Sequence, residues 1–321
     1  MTTTPSTEVI AVGETLGLIR PLTVGRLRHS LRASLGIGGA ESNVAIGVTR
    51  LGHCAAWVGR VGADPWGDLI LDELRAEGVD VSKALIDPER ATGLMLKHRQ
   101  PDGSTQVTYS RRDSAGSALS PEDIPEDLVA RSRVLHVTGI TPALSLSAAA
   151  AVEHAVVVAR EAGAIVSVDL NYRKRLWGHH EAIPVLRRLL ANADIAFASE
   201  DEAALLVGPL ALEETCEALA AIGPKHAILK RGSLGAVAVI GSELLSVDAI
   251  HIPSPVDPVG AGDAFAAGYL VGVLEDLSPV GALSLAARVG GLAVTGPGDW
   301  ESVPYRRALD SAPGVQEAVD R

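Results

Sequence analysis

From Val134 onward, apolar runs of strand length alternate with helix-length segments. Strands are predicted at Val134–Thr138, Ile165–Asp169, Ile195–Ala198, Ala227–Lys230 and Ala236–Ile240. Helices are predicted at Leu146–Ala162, Glu181–Asn192, Glu213–Ile222, Gly262–Leu274 and Pro279–Val294. Repeated strand-then-helix units imply that the strands lie mostly parallel and the helices cover both faces of the sheet. The chain opens on the same rhythm. Val9–Val12 reads as a strand, and Glu41–Leu51 as a helix with Val44, Val48 and Leu51 on one face. Ala55–Val58 reads as a strand. Asp64–Glu77 reads as a helix with Asp64 as its N-cap and Pro65 at the first helical position. The expected class is α/β, a three-layer α/β/α core.

Two stretches break the rhythm. Thr92–Arg99 and Thr105–Arg112 are strand-like and joined by Pro101-Asp102-Gly103, a strong turn signal. Leu16–Arg20 and Leu31–Leu35 are also short and strand-like. Together they form a small sheet apart from the core, a lid inserted at residues 14–36 and 91–113 of a single domain spanning 1–321. Val303–Arg321 reads as a terminal helix or a partly disordered tail.

Bulk composition excludes several roles. With 321 residues, 47% hydrophobic and 21% charged, the chain can bury a large globular core. A net charge of −11 argues against a nucleic-acid partner. Cys54 and Cys216 stand alone, without the spacing of a zinc site or a disulfide framework, and Cys54 lies in an apolar run that suggests burial. Met1–Glu8 lacks the features of a signal peptide, and no apolar run reaches the roughly 18 residues of a membrane span. The expectation is a cytoplasmic protein without a membrane partner.

Asp257-Pro258-Val259-Gly260-Ala261-Gly262-Asp263-Ala264-Phe265 joins a small-residue loop to an apolar helix. Backbone N–H groups of the loop and the first helical turn make an anion site, reinforced by the helix dipole. Asp263 stands at its base, where a carboxylate either takes a proton from an attacking hydroxyl or caps the helix. Lys230-Arg231-Gly232-Ser233-Leu234-Gly235 suits a tight loop beside a nucleotide, or an ordinary hairpin. Ser199-Glu200-Asp201-Glu202 opens a helix after a strand and fits either a capping box or a phosphate-side motif. No GxxxxGK[ST] loop occurs, and no GxGxxG follows the first strand, so neither a P-loop nor a dinucleotide site is supported.

The Gly260-Ala261-Gly262-Asp263 segment resembles the C-terminal signature of ribokinase-like carbohydrate kinases, Asp-Thr-x-Gly-Ala-Gly-Asp. Pro258 stands in place of the Thr, which weakens the expectation of a monovalent-cation site in this loop. Gly36-Ile37-Gly38-Gly39-Ala40-Glu41-Ser42-Asn43, with the run on to Gly67, resembles the N-terminal signature of the same family. The resemblance covers nearly the whole chain in the right order. It implies ATP and Mg2+ as cofactors and Asp263 as the base. Gly260, Ala261 and Gly262 become the anion site, and Ser199, Lys230, Gly232 and Gly235 nucleotide contacts. Glu202 matches the glutamate of the family's Asn-x-x-Glu motif, with Ser199 replacing the Asn, and would reach magnesium through water. Gly38, Gly39 and Asn43 would meet the sugar.

Three features resemble 2-keto-3-deoxygluconate kinases in particular. They are Gly39–Asn43, Tyr109-Ser110-Arg111 with Ser114-Ala115, and Asp169-Leu170-Asn171-Tyr172-Arg173 running on to Trp177. A keto-deoxy sugar acid carries a carboxylate that Arg111 and Arg173 could hold through charge-assisted hydrogen bonds, with Tyr109 beside the sugar. Either arginine could instead be a surface charge. Asp169 and Asn171 could order magnesium waters or the phosphate end. Trp177 reads as packing. Glu14 either touches a sugar hydroxyl or sits at the lid hinge. The resemblance implies phosphorylation of the terminal hydroxyl to give the 6-phosphate, and a homodimer or higher homo-oligomer through the lid. The rival readings are a kinase of fructose or ribose and a non-catalytic sugar sensor on the same fold.

Overall fold

A computed structural model describes residues 7–30, 32–102 and 104–310. Chain order runs β1 (Val9–Val12), β2 (Leu16–Pro21), β3 (Ala33–Gly38), α1 (Ala40–Arg50), β4 (Ala55–Val58), β5 (Arg60–Gly62), α2 (Pro65–Ala76) and β6 (Leu85–Asp87). It continues through β7 (Leu94–Arg99), β8 (Thr105–Ser110), α3 (Glu126–Arg131), β9 (Val134–Thr138), α4 (Leu146–Ala162), β10 (Ile165–Asp169) and α5 (His179–Ala191). The last part holds β11 (Ile195–Ser199), α6 (Glu200–Val207), α7 (Leu212–Ala220), β12 (His226–Lys230), β13 (Ala236–Ile240), β14 (Glu243–Val247), α8 (Ala261–Leu274), α9 (Pro279–Ala293) and α10 (Arg306–Asp310).

Eight strands form the central sheet in the order β14-β13-β12-β11-β10-β9-β1-β4. All pairs from β4 to β12 are parallel, and β12, β13 and β14 run antiparallel at one edge. Alternation along β1 explains the layers. Val9 and Ala11 pack with residues of α1, α2, α8 and α9, whereas Ile10 and Val12 pack with α4, α5 and α7. All four residues are fully buried, as a strand covered on both faces requires. Among the described residues, no helix is long and apolar enough to cross a membrane.

The helix signals hold where caps fix them. Asp64 Oδ1 accepts from the N–H groups of Trp66 and Gly67 at 3.0 and 2.9 Å, with Pro65 following as N1. The edge strand β14 escapes the pattern because it is only half covered, and the turn at Gly241 (φ +63°) folds it back on β13. Cys216 is buried, but Cys54 is half-buried. It precedes β4, where its N–H bonds the Glu8 carboxylate at 3.1 Å.

The lid is a four-stranded sheet, β3-β2-β7-β8, in which β2 and β7 pair in parallel and join the two insertions. The second strand of the first insertion is displaced from the predicted Leu31–Leu35 to Ala33–Gly38, so Gly38, a predicted sugar contact, is its last residue. Leu31, Gly103 of the predicted turn and residues 311–321 of the predicted tail lie outside the described residues.

Candidate active site

The parallel strands all end at one side of the sheet, and a cleft of about 390 Å3 opens there beneath the lid. Glu14 follows β1, Asn171 follows β10, Ser199 ends β11 and Lys230 ends β12; all four line the cleft. From the opposite side come Pro258, Val259, Gly260, Gly262 and Asp263, and from the lid Leu16, Gly38, Met95, Tyr109 and Arg111.

The candidate anion site is the turn into α8. Gly260 adopts φ +80°, and a Cβ there would lie 1.6 Å from the Asp299 carbonyl oxygen, so only glycine fits. The Ala261 N–H bonds the Pro258 carbonyl at 3.3 Å and the Ala264 N–H that of Gly260 at 2.9 Å. Between them, the Gly262 and Asp263 N–H groups are left for the cleft. Of the predicted donors, Gly260 and Gly262 line the cleft, while the Ala261 amide is used in the turn.

Asp263 sits in that first turn, half-buried at the cleft wall. Asn43 Nδ2 donates to its Oδ2 at 2.7 Å, and Asn43 Oδ1 accepts from the Gly39 N–H at 3.5 Å. Asn43 therefore links the Gly38-Gly39 loop to the Asp263 carboxylate. A Cβ on Gly39 would lie 2.4 Å from the Glu14 carbonyl, so this loop passes directly against the chain leaving β1. Burial, together with the nearby Asp169 charge, pushes the Asp263 carboxyl up to about 7, against the pull of Asn43, Lys230 and Arg173. A base with that pKa is protonated, and idle, at acidic pH. The kcat/KM profile is therefore expected to be level above about pH 7 and to fall about tenfold per unit below it. A profile that stays level down to pH 5 would remove Asp263 from the role.

Lys230 Nζ donates to Asp169 Oδ2 at 2.5 Å, and a Cβ on Gly262 would lie 3.2 Å from the same ammonium. The ammonium therefore faces the first turn of α8. Burial works against its charge, but the carboxylates of Asp169 and Glu202 outweigh it and hold the lysine above its ordinary value. Glu202 realises the capping box: Oε2 accepts from the Ser199 N–H at 2.8 Å, and Ser199 Oγ accepts from the Glu202 N–H at 3.2 Å. Oε1 accepts from the Tyr172 N–H at 2.8 Å. Both residues also line the cleft, so the capping box leaves them at the candidate site.

At the lid end, Arg111 pairs with Glu14, and the two side chains are only 9% and 1% exposed. Ser114 Oγ donates to Glu14 Oε1 at 2.5 Å. The Arg111 guanidinium lies 5.4 Å from the Tyr109 ring centroid. Arg173 is exposed and lines both the main cleft and an adjoining cavity of about 330 Å3, which Arg111, Tyr109, Tyr172 and Arg175 also line.

The structure brings together Gly38, Gly39, Asn43, Tyr109, Arg111, Arg173, Ser199, Glu202, Lys230, Gly260, Gly262 and Asp263. Ala261 belongs to the same turn. Gly232 and Gly235 do not line the cleft. They shape the short turn between β12 and β13, where Gly235 (φ +84°) packs against the Val247 carbonyl of β14. Among the cleft residues outside the predicted set are two glutamates. One is Glu14, whose signal was a lone acid after β1. The other is Glu41, buried with Oε1 accepting from the Thr138 and Thr141 hydroxyls at 2.7 and 2.8 Å. Burial raises the Glu41 carboxyl above the usual range, against those two hydroxyls.

Comparison with known proteins follows the same lines. Residues 6–306 match the family model described as pfkB family carbohydrate kinase. A 2-dehydro-3-deoxygluconokinase of Bacillus subtilis is 36% identical over 314 residues, covering 97% of each chain. Another from Thermoproteus tenax is 32% identical over 306 residues, covering 94% of this chain and 93% of its own. Among solved structures, an E. coli protein provisionally described as ribokinase II, in complex with ATP and Mg2+, superposes with a TM-score of 0.87. It is 27% identical and covers 95% of this chain and 98% of its own.

Proposed function

The chain belongs to the pfkB family of carbohydrate kinases, and from that premise we propose that this ATP-dependent sugar kinase phosphorylates 2-dehydro-3-deoxygluconate at its terminal hydroxyl, giving the 6-phosphate. The observation that carries the choice of substrate is the pair Arg111 and Arg173, which line the same cleft as Asp263 and share an adjoining cavity. A sugar acid bridging them would place its carboxylate on the guanidinium groups and its far hydroxyl toward the base.

Each residue then has a task. Asp263 accepts the proton of the attacking hydroxyl as its oxygen bonds to the γ-phosphorus and ADP leaves. Asn43 holds that carboxylate in line through its 2.7 Å hydrogen bond. The Gly262 and Asp263 amides and the Lys230 ammonium face the charge that grows on the transferring group. Asp169 Oδ1 is buried without a hydrogen-bond partner, and Glu202 stands beside it across Lys230. No group of three or more metal-ligating side chains occurs among the described residues. That donor set fits magnesium carried on phosphates and touched through water by Glu202 and Asp169, where the ion would offset phosphate charge.

A panel of sugars in an enzyme-linked ADP-release assay tests the reading. The sugar acid should have the highest kcat/KM. Preference for fructose or ribose would reject it, and the Glu14–Arg111 pair, which already occupies one guanidinium, is the observation that favours such a neutral substrate. Arg173→Ala is expected to raise KM for the sugar acid about 10- to 100-fold, the worth of a charge-assisted hydrogen bond, with KM for ATP unchanged. Arg111→Ala should do the same and also lower Tm, because it strands the buried Glu14 carboxylate.

The lid further supports a homodimer. Leu22, Val24 and Leu35 on it are 59%, 59% and 64% exposed, and β3 and β8 are its outer strands.

A further inference from the structure

Lys97 is an anomaly of the lid. Strand β7 turns Met95 and Lys97 inward, 5% and 3% exposed. A buried ammonium is tolerated only when its donors are matched. Here all three are. Lys97 Nζ lies 2.7 Å from Asp257 Oδ2, 2.8 Å from Asp299 Oδ1 and 3.4 Å from the Gly298 carbonyl oxygen.

The two carboxylates are the supports of the anion site. Asp257 begins the loop, and its Oδ1 accepts from the Val259 N–H at 3.2 Å. Asp299 forms the opposing wall, its carbonyl lying against Gly260 so closely that no Cβ fits. Their side chains are 11% and 8% exposed, so without a cation between them two nearly buried charges would repel and the walls would part.

We propose that Lys97 is a positioning residue whose ammonium acts as an internal monovalent cation, clamping the anion-site loop against residues 298–299 and tying both to the lid. A consequence is that this enzyme transfers phosphoryl groups without added potassium. Removing the side chain beyond Cβ would leave a space bounded by two carboxylate oxygens and a carbonyl oxygen. Those hard oxygen donors are what a dehydrated monovalent cation takes. Lys97 lines neither the sugar end nor the phosphate end of the cleft, so it acts through Asp257 and Asp299.

The proposal rests on the phosphoryl-transfer reading above, and its test separates the two. Wild-type kcat is measured in potassium chloride and in tetramethylammonium chloride at equal ionic strength, the latter ion being too large to enter such a site. The expected result is no difference. A severalfold activation by potassium overturns the proposal while leaving the kinase reading intact, whereas absence of ADP release in both salts defeats the kinase reading itself. Lys97→Ala should lose about 10²-fold in kcat, the cost of a misplaced site, with little change in the Kd for ATP. Potassium or ammonium should restore it saturably. Lys97→Met fills the space with a neutral chain, so it should lose as much and not be restored. A Lys97→Met enzyme with near wild-type kcat, or identical responses of the two variants to cations, refutes the clamp. If either variant fails to fold, the wild-type salt comparison still decides.

Discussion

Replacing Asp263 by Asn lowers kcat by about 10³- to 10⁴-fold while leaving the Kd values for sugar and ATP within a few-fold, because only proton transfer in the transition state is lost. The amide keeps the shape of the side chain and can still pair with Asn43, so the cleft should remain formed. The same change should stabilise the fold at alkaline pH. The Asp263 carboxyl is raised in the folded state to about 7 from an ordinary 3.8, so the native protein binds a proton that the unfolded chain releases. Stability is then lost as pH rises from about 4 through 7. Asn removes that loss. Tm of the variant should exceed that of the wild type by about 2–4 °C at pH 8 and by nothing at pH 4. A variant that turns over normally would exclude Asp263 as the base. One that is inactive yet no more stable at pH 8 would show that the carboxylate is not strained by its surroundings.

Gly260→Ala should be nearly as damaging, for a steric reason. Residue 260 holds φ +80°, which costs a residue bearing a Cβ about 1–2 kcal/mol. The added methyl would also meet the Asp299 carbonyl at 1.6 Å, a contact that only movement of the backbone can relieve. Whichever wall moves, the amides of the first turn of α8 no longer converge, and kcat should fall about 10²- to 10³-fold. Tm should fall as well. Ala261, one residue on, already carries a methyl without conflict, so the effect belongs to position 260 and not to bulk in the loop. Wild-type activity in Gly260→Ala would mean that the turn does not shape the anion site.

What could be read before the structure was whatever lies close together in the chain. The turn into α8 carries its candidate anion site and carboxylate within one short segment, so the local residues suggested an anion site there, and the resemblance to carbohydrate kinases chose a base over a helix cap for Asp263. The same holds for the caps, such as Asp64 before Pro65. Contacts between distant segments left no such trace. Asn43 meets Asp263 across 220 positions of sequence, and nothing local says that the amide of one orients the carboxylate of the other. Glu14 appears in sequence only as a single acid after β1 and Lys97 as the first of the basic run Lys97-His98-Arg99, and the partners of both come from other elements. The loop glycines carry an ambiguous signal. Gly232 and Gly235 look like a ligand loop because tight turns and phosphate cradles demand the same small residues. At Gly235 the demand comes from the neighbouring strand β14, which was itself not visible in the pattern.

The division of the lid between two stretches of chain bears on any attempt to re-engineer specificity. Because β2 and β7 are adjacent strands drawn from separate insertions, transplanting the β7–β8 hairpin alone from a relative would leave β2 zipped to a stranger, with mismatched side chains along the seam. A working chimaera would have to exchange both stretches at once, together with whatever residue fills the place of Lys97 beneath them.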